Sequence, residues 1–236
     1  MAYNVNDAKI VGLKLSVLAD GVTVGLSPGA AYIPNQGRAL SNSDMSLVVS
    51  GVTSAWRHFY IANDDGVLKF EGSATAPADP YQGTARTKSN DPTRRYLGSL
   101  YFNSSGVTLA FLHSQVGDRA NRISFVPPGG AAISQARLLN VATGTSPTVV
   151  DASAVVPMTC RLMYTLIDNT STSDAYIGTP DNGTLSTTNF LLFVKANQAG
   201  QYDVEVNGNQ LLNYFLNGII TLGGLTIRVR GYLFDR

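Results

Sequence analysis

Four cationic side chains fall within ten residues: Arg86, Lys88, Arg94 and Arg95. Asp79, Tyr81 and Asp91 stand among them. A guanidinium fork binds a carboxylate or phosphate through two parallel hydrogen bonds, so this cluster could hold a polyanion or an acidic sugar. The same groups could equally be engaged in ion pairs within or between subunits, with Asp79 and Asp91 as the acids. The ion-pair reading is preferred, because two acids lie close to four bases and Asp91-Pro92 is itself a turn signal. Tyr81, Arg86, Lys88, Arg94 and Arg95 are therefore the candidate interface or anion-contact residues.

The residues able to do bond-making chemistry are few. The histidines are His58 and His113, each inside a strand-like segment and neither spaced for metal binding. H-x-x-x-H and C-x-x-C do not occur, so a zinc site is not indicated. Gly25-Leu26-Ser27-Pro28-Gly29 matches G-x-S-x-G, yet Pro28 has no N–H to offer an oxyanion, which a nucleophile elbow requires. Asp64 and Asp65 are adjacent in a turn, whereas glycosidase carboxylates stand about 5–9.5 Å apart. Acid pairs brought together by folding stay open. Cys160 has no second cysteine to pair with and lies in an apolar-biased segment, which reads as core packing. The expectation is a non-enzymatic chain with no metal and no cofactor.

The elements that must position these residues read as β-strands. Trp56 to Ile61 places Trp56, His58 and Tyr60 on one face and Arg57, Phe59 and Ile61 on the other. Asp64-Asp65-Gly66 is a hairpin turn leading into Val67–Glu71, and Asp20-Gly21 is another. Arg95–Phe102, Asn103–Gly106 and Val107–Leu112 read as a third hairpin. The stretch from Ala132 to Val141 reads as strand rather than helix. Phe190–Val194 is a continuous apolar run, which suggests burial on both faces. Asn207-Gly208 is a type I′ turn signal, and Leu225–Tyr232 alternates. No repeat of 20–50 residues is present. The loop carrying the cations is long for a hairpin, whose connections usually run about 2–5 residues. It is expected at or near a subunit boundary, where a neighbour would support it. Tyr3, Tyr32, Tyr81 and Tyr202 are the aromatic residues placed for surface contact.

The segment Ala55–Ile61, then Ser73-Ala74-Thr75-Ala76-Pro77, the Tyr81-x-Gly83-x-Ala85-Arg86-x-Lys88 run and Arg94-Arg95-Tyr96-Leu97-Gly98-Ser99-Leu100 resemble a module of tail-fibre and virion surface proteins of tailed bacteriophages. The end, Gly224 to Arg236, is similar to the final strand of many such proteins. The resemblance covers about two thirds of the chain and implies a structural protein that forms homo-oligomers, most often trimers.

Composition fits that expectation. Charged residues are 14% against the usual ~25%, while hydrophobic residues reach 44%, so uncharged polar groups must make much of the surface. A net charge of +1 disfavours nucleic-acid binding by counterion release. Residues 1–7 lack the basic and apolar blocks of a cleaved signal, and no apolar run approaches the ~18 residues of a membrane helix. A soluble protein is expected, without membrane insertion.

The sequence thus predicts an all-β, antiparallel β-sandwich fold in two sandwich-like parts. Residues 1–146 would form the first, with the arginine-rich loop, and residues 147–236 the second. The expected function is that of a structural virion protein, assembled in the bacterial host cytoplasm, in a tail fibre or baseplate. It would contact other virion proteins or the host surface, with host surface polysaccharide a further partner. Capsid decoration or a head spike is the alternative. A carbohydrate-binding receptor module and a polysaccharide hydrolase are the other classes.

Overall fold

A computed structural model of the chain describes residues 9–34, 36–116, 120–126 and 136–236. The surface role expected of Tyr3, the reading of residues 1–7 and that of residues 132–135 lie outside the described residues. The fold is all-β: 58% of it is strand, in antiparallel sheets that do not close into a barrel, and the described residues contain no α-helix. This bears out the sandwich-like all-β expectation.

The chain forms two compact units, Met1–Val126 with Phe234–Arg236, and Pro127–Leu233. The first unit holds β1 (Ile10–Gly12), β2 (Leu15–Val17), β3 (Thr23–Leu26), β4 (Gly29–Ile33), β5 (Gly37–Ser41) and β6 (Met45–Val48). It continues with β7 (Ala55–Asp64), β8 (Val67–Ser73), β9 (Thr87–Lys88), β10 (Asp91–Phe102), β11 (Phe111–Val116) and β12 (Ala120–Phe125). Its sheets run β1-β4-β5, β2-β3-β6 and β8-β7-β10-β9, with β11 and β12 as an antiparallel pair. Leu13, Leu26, Ile33, Phe59, Ile61, Leu97 and Phe102 are fully buried and form its core.

The turn at Asp65-Gly66 forms as the sequence predicts. Both residues have positive φ, 52° and 86°, the geometry whose twist matches the flanking strands. It sets the long register in which Tyr60 faces Glu71 and Ala62 faces Lys69. Asp91-Pro92, read as a turn, instead opens β10, and the turn lies at Ser89-Asn90, with Asn90 at φ 63°. Pro92 is tolerated because the β9 ladder skips from Asp91 to Arg95 and the β7 ladder begins at Arg95. No ladder hydrogen bond is therefore asked of the missing N–H.

The third expected hairpin is corrected. Asn103 turns the chain, accepting Ser105 N–H and Val107 N–H on its side chain. The return leg then makes one bridge, Phe102 to Thr108, and β11 pairs with β12.

The second unit holds β13 (Arg137–Ala142), β14 (Thr148–Asp151), β15 (Cys160–Asn169), β16 (Asp174–Gly178), β17 (Leu192–Val194), β18 (Gln198–Glu205), β19 (Leu211–Asn217) and most of β20 (Leu225–Asp235). One sheet runs β20-β15-β18 with β13 also on β20, and the other runs β14-β19-β16-β17. Because β13 pairs with β20, residues ahead of Gly144 fall in this unit, and the division precedes the expected one at residue 146. Met163, Ile167, Ile177, Leu212, Leu216, Ile227 and Val229 fill the core.

Two local expectations differ here. Phe190 and Leu191 are 41% and 46% exposed, so the apolar run is not buried on both faces and only its last three residues form β17. Asn207-Gly208 does not close a two-residue hairpin either. β18 pairs with β15 and β19 with β14 and β16, and the Asn207 side chain receives Asn209 and Leu211 N–H as the chain crosses between sheets.

Candidate functional site

The cationic cluster sits on the β8-β7-β10-β9 sheet, and its charged side chains find partners inside the unit. Arg94 forks onto Asp64, with Nη1 at 2.8 Å from Oδ1 and Nη2 at 3.1 Å from Oδ2. Its Nε donates to Glu71 Oε2 at 3.0 Å. Lys88 takes the other Glu71 oxygen, Oε1, at 2.5 Å and stands 5.9 Å from the centre of the Tyr60 ring. Lys69 holds Asp64 Oδ2 at 2.9 Å. The carboxyl of Asp64 is held below its usual value, first by the Lys69 hydrogen bond and then by Arg94, against its partial desolvation.

The acids differ from those the sequence spacing offered. Asp79 is exposed, and Asp91 comes no closer than 3.8 Å to Arg94 Nε. Asp64 and Glu71 belong to the β7–β8 hairpin, 30 and 23 residues before Arg94. The register of that hairpin brings them to one face. A register-based pairing of Tyr60 with Glu71 and Tyr96 would have found Glu71 beforehand.

Arg95 points the opposite way and is fully buried. Its Nη1 donates to the Arg86 carbonyl at 2.8 Å, and its guanidinium lies 5.6 Å from the centre of the Tyr81 ring. Burial brings its pKa down to about 10, with Tyr81 opposing the shift, so it is still cationic at neutral pH. Arg86 Nη1 donates to the Ala78 carbonyl at 2.9 Å. The long loop is braced from within: Ala78 N–H donates to Thr87, Ser89 N–H to Ala76 and Tyr81 N–H to Ala85. Tyr81, Arg86, Lys88, Arg94 and Arg95 thus act together as clasps between β8, the loop and β10.

Both histidines are neutral, His58 buried and His113 half-buried. His58 Nδ1 lies 2.7 Å from Ser99 Oγ, and the Tyr96 hydroxyl lies 2.7 Å from the same oxygen. A Ser–His contact is what nucleophile activation requires. Here Ser99 is 2% exposed, so substrate atoms do not reach it. Burial, then the Arg57 charge, lowers the His58 pKa to about 4. His113 accepts Leu15 N–H on Nδ1 at 2.9 Å, which places its own proton on Nε2, facing Asn121 Oδ1 at 3.3 Å. Its pKa falls to about 3, mainly through burial and then through Arg236.

Arg236 was not singled out by the sequence. It is 3% exposed and donates to the carbonyls of Leu13, at 2.6 Å, and Gly12, at 2.9 Å. Leu13 is a non-glycine residue at φ 48°, a costly conformation. The guanidinium on its carbonyl and the His113 bond at Leu15 hold that bend in place.

Ser27 of the G-x-S-x-G match braces a turn: its Oγ accepts Lys14 N–H at 3.0 Å. Cys160 is buried, as expected. Among the described residues no group of three or more His, Cys, Asp or Glu is placed to hold a metal, and no helix is long and apolar enough to cross a membrane. No protein-family model matches the chain, and no curated protein matches it in sequence.

Proposed function

We propose that this is a structural protein of a tailed-bacteriophage particle, in a tail fibre or baseplate, that works by presenting sheet surfaces to neighbouring proteins and carries no reacting centre. Homo-oligomerisation, most simply as a trimer, belongs to the same reading. One observation carries it: large apolar side chains stand in solvent on both units. Ile219 and Leu222 are 85% and 76% exposed in the loop between β19 and β20, and Val11, Val48 and Leu112 are each more than 60% exposed. Exposed apolar side chains mark contact with other proteins where they lie together in one patch. The cations that could have met a polyanion are instead engaged with Asp64, Glu71 and backbone carbonyls, which favours a structural use over a glycan site.

Electron microscopy of phage particles labelled on this protein tests the proposal. Label at the tail is the expected result. Label over the head would move the protein to capsid decoration, and unlabelled particles would overturn the virion role.

A further inference from the structure

A cleft of about 590 Å³ opens in the first unit over one face of the β7–β8 hairpin. Side chains of a strand alternate between faces, and residues opposite each other in a ladder share a face. Arg57, Phe59 and Ile61 therefore stand on the same face of β7. Phe59 is opposite Gly72 and Ile61 is opposite Phe70, which puts Gly72 and Phe70 on that face too. Leu47 of β6 packs over Gly72: a methyl group in place of the glycine hydrogen would stand 3.0 Å from Leu47 Cδ2. Arg57, Phe70 and Gly72 thus form the floor, and the chain between Leu47 and Val52 forms the wall. The volume suits a small molecule, whose pockets run about 300–1,000 Å³.

The charges around the cleft select its ligand. Lys69 and Glu71 border it, but Lys69 is bound to Asp64, and the two Glu71 oxygens are bound to Lys88 and Arg94. Arg57 meets no carboxylate among the described residues; its hydrogen bond is a long one, 3.5 Å, to the Trp56 carbonyl. One guanidinium fork fits one carboxylate. A phosphate dianion would need a second cation, and Lys69 is already committed. Val48, Val49, Val52 and Phe70 make the rest of the lining apolar. Among the lining residues described, Ser50 supplies the one side-chain hydroxyl, too little to match the several hydroxyls of a sugar.

We infer that this cleft binds a small organic carboxylate, with the head group on Arg57 and an aliphatic or aromatic body against Phe70 and the valines. The charge-assisted fork orients the ligand, and removal of its hydrocarbon from water supplies the rest of the affinity. No bond is made or broken. The inference does not depend on where the protein resides.

The test is calorimetric titration of the full chain with sodium octanoate, with octanamide as its neutral counterpart and galacturonate as an acidic sugar. Saturable binding of one octanoate per chain is expected, with octanamide weaker by about tenfold or more, as loss of a charge-assisted pair requires. Arg57→Gln should lower octanoate to the octanamide affinity and leave octanamide itself unchanged. Val48 is 63% exposed, so Val48→Asp should leave the fold intact and weaken octanoate more than octanamide by repelling the carboxylate. That variant decides the matter if Arg57→Gln folds poorly. Absent octanoate binding, octanamide bound as tightly, or an octanoate affinity indifferent to both substitutions overturns the inference. So does tighter binding of galacturonate, which would make an acidic sugar the occupant.

Discussion

Arg94 holds the carboxylate of Asp64 with two parallel hydrogen bonds, joining β10 to the end of β7 across 30 residues of sequence. Glu71 couples this pair to Lys88 and Asp64 couples it to Lys69, so the five side chains form one network. Asp64→Asn and Arg94→Gln should each lower the melting temperature. The double variant should fall little further than either alone, since residues sharing one interaction are not additive. Thermal melts of the four proteins, repeated at high salt where exposed pairs are screened, provide the check. Fully additive losses would show that the two groups act separately.

Acid should destabilise the first unit through its histidines. The folded pKa values of His58 and His113 are lowered to about 4 and about 3 from an ordinary 6.5. The unfolded chain therefore binds protons first as pH drops. Full stability is present above the ordinary value and is lost as pH falls from there towards the folded values. For His58 alone the loss by its folded pKa is about 3 kcal/mol. Urea melts across this range measure the slope. By NMR neither imidazole should titrate between about pH 5 and 8, where an unperturbed histidine would.

Asn169 staples the second unit. It is fully buried, and its Nδ2 donates to the carbonyls of Ser173, Val194 and Lys195 at 2.9, 3.2 and 3.1 Å. Its Oδ1 accepts Ser171 Oγ at 2.6 Å and Ser171 N–H at 3.2 Å. Asn169→Ala should cost about 3 kcal/mol, because buried partners are left unsatisfied. Asn169→Asp should cost more, since it turns an acceptor towards three carbonyls. Equilibrium unfolding measures both, and a neutral alanine variant would contradict the assignment.

The local grammar of this fold was readable in the sequence, and its long-range fastenings were not. The turn at Asp65-Gly66 needs two residues at positive φ, and an Asp-Gly pair announces that need within the turn itself. The alternation of Trp56 to Ile61 likewise shows which side chains share a face. The partners of the cationic loop lie beyond local reach. Arg94 was visible as a cation, yet its acids come from a hairpin whose register fixes their position. The Arg236 contact with Gly12 spans 224 residues and leaves no local signal in either segment. Phe190–Val194 shows a different limit: a run of apolar residues reports the tendency to be buried, and Phe190 satisfies it partly, by an edge-on contact with Tyr176 at 5.1 Å.

On the proposed reading the loop between β19 and β20 serves assembly and not folding, and variants there separate the two. Ile219 and Leu222 are largely exposed, so Ile219→Asp and Leu222→Asp should change the stability of the isolated chain by less than about 0.5 kcal/mol. The same variants should reduce incorporation into particles. Loss of stability with normal incorporation would assign the loop to the fold.

Sedimentation equilibrium of the purified chain, followed by an assay for reducing ends released from host-envelope polysaccharide, bears most directly on the proposed role. A mass that is a multiple of 25.1 kDa, with no sugar released, is the expected result. A chain that stays at that single mass at high concentration and cleaves the polysaccharide, losing the activity when one Asp or Glu is neutralised, would contradict it.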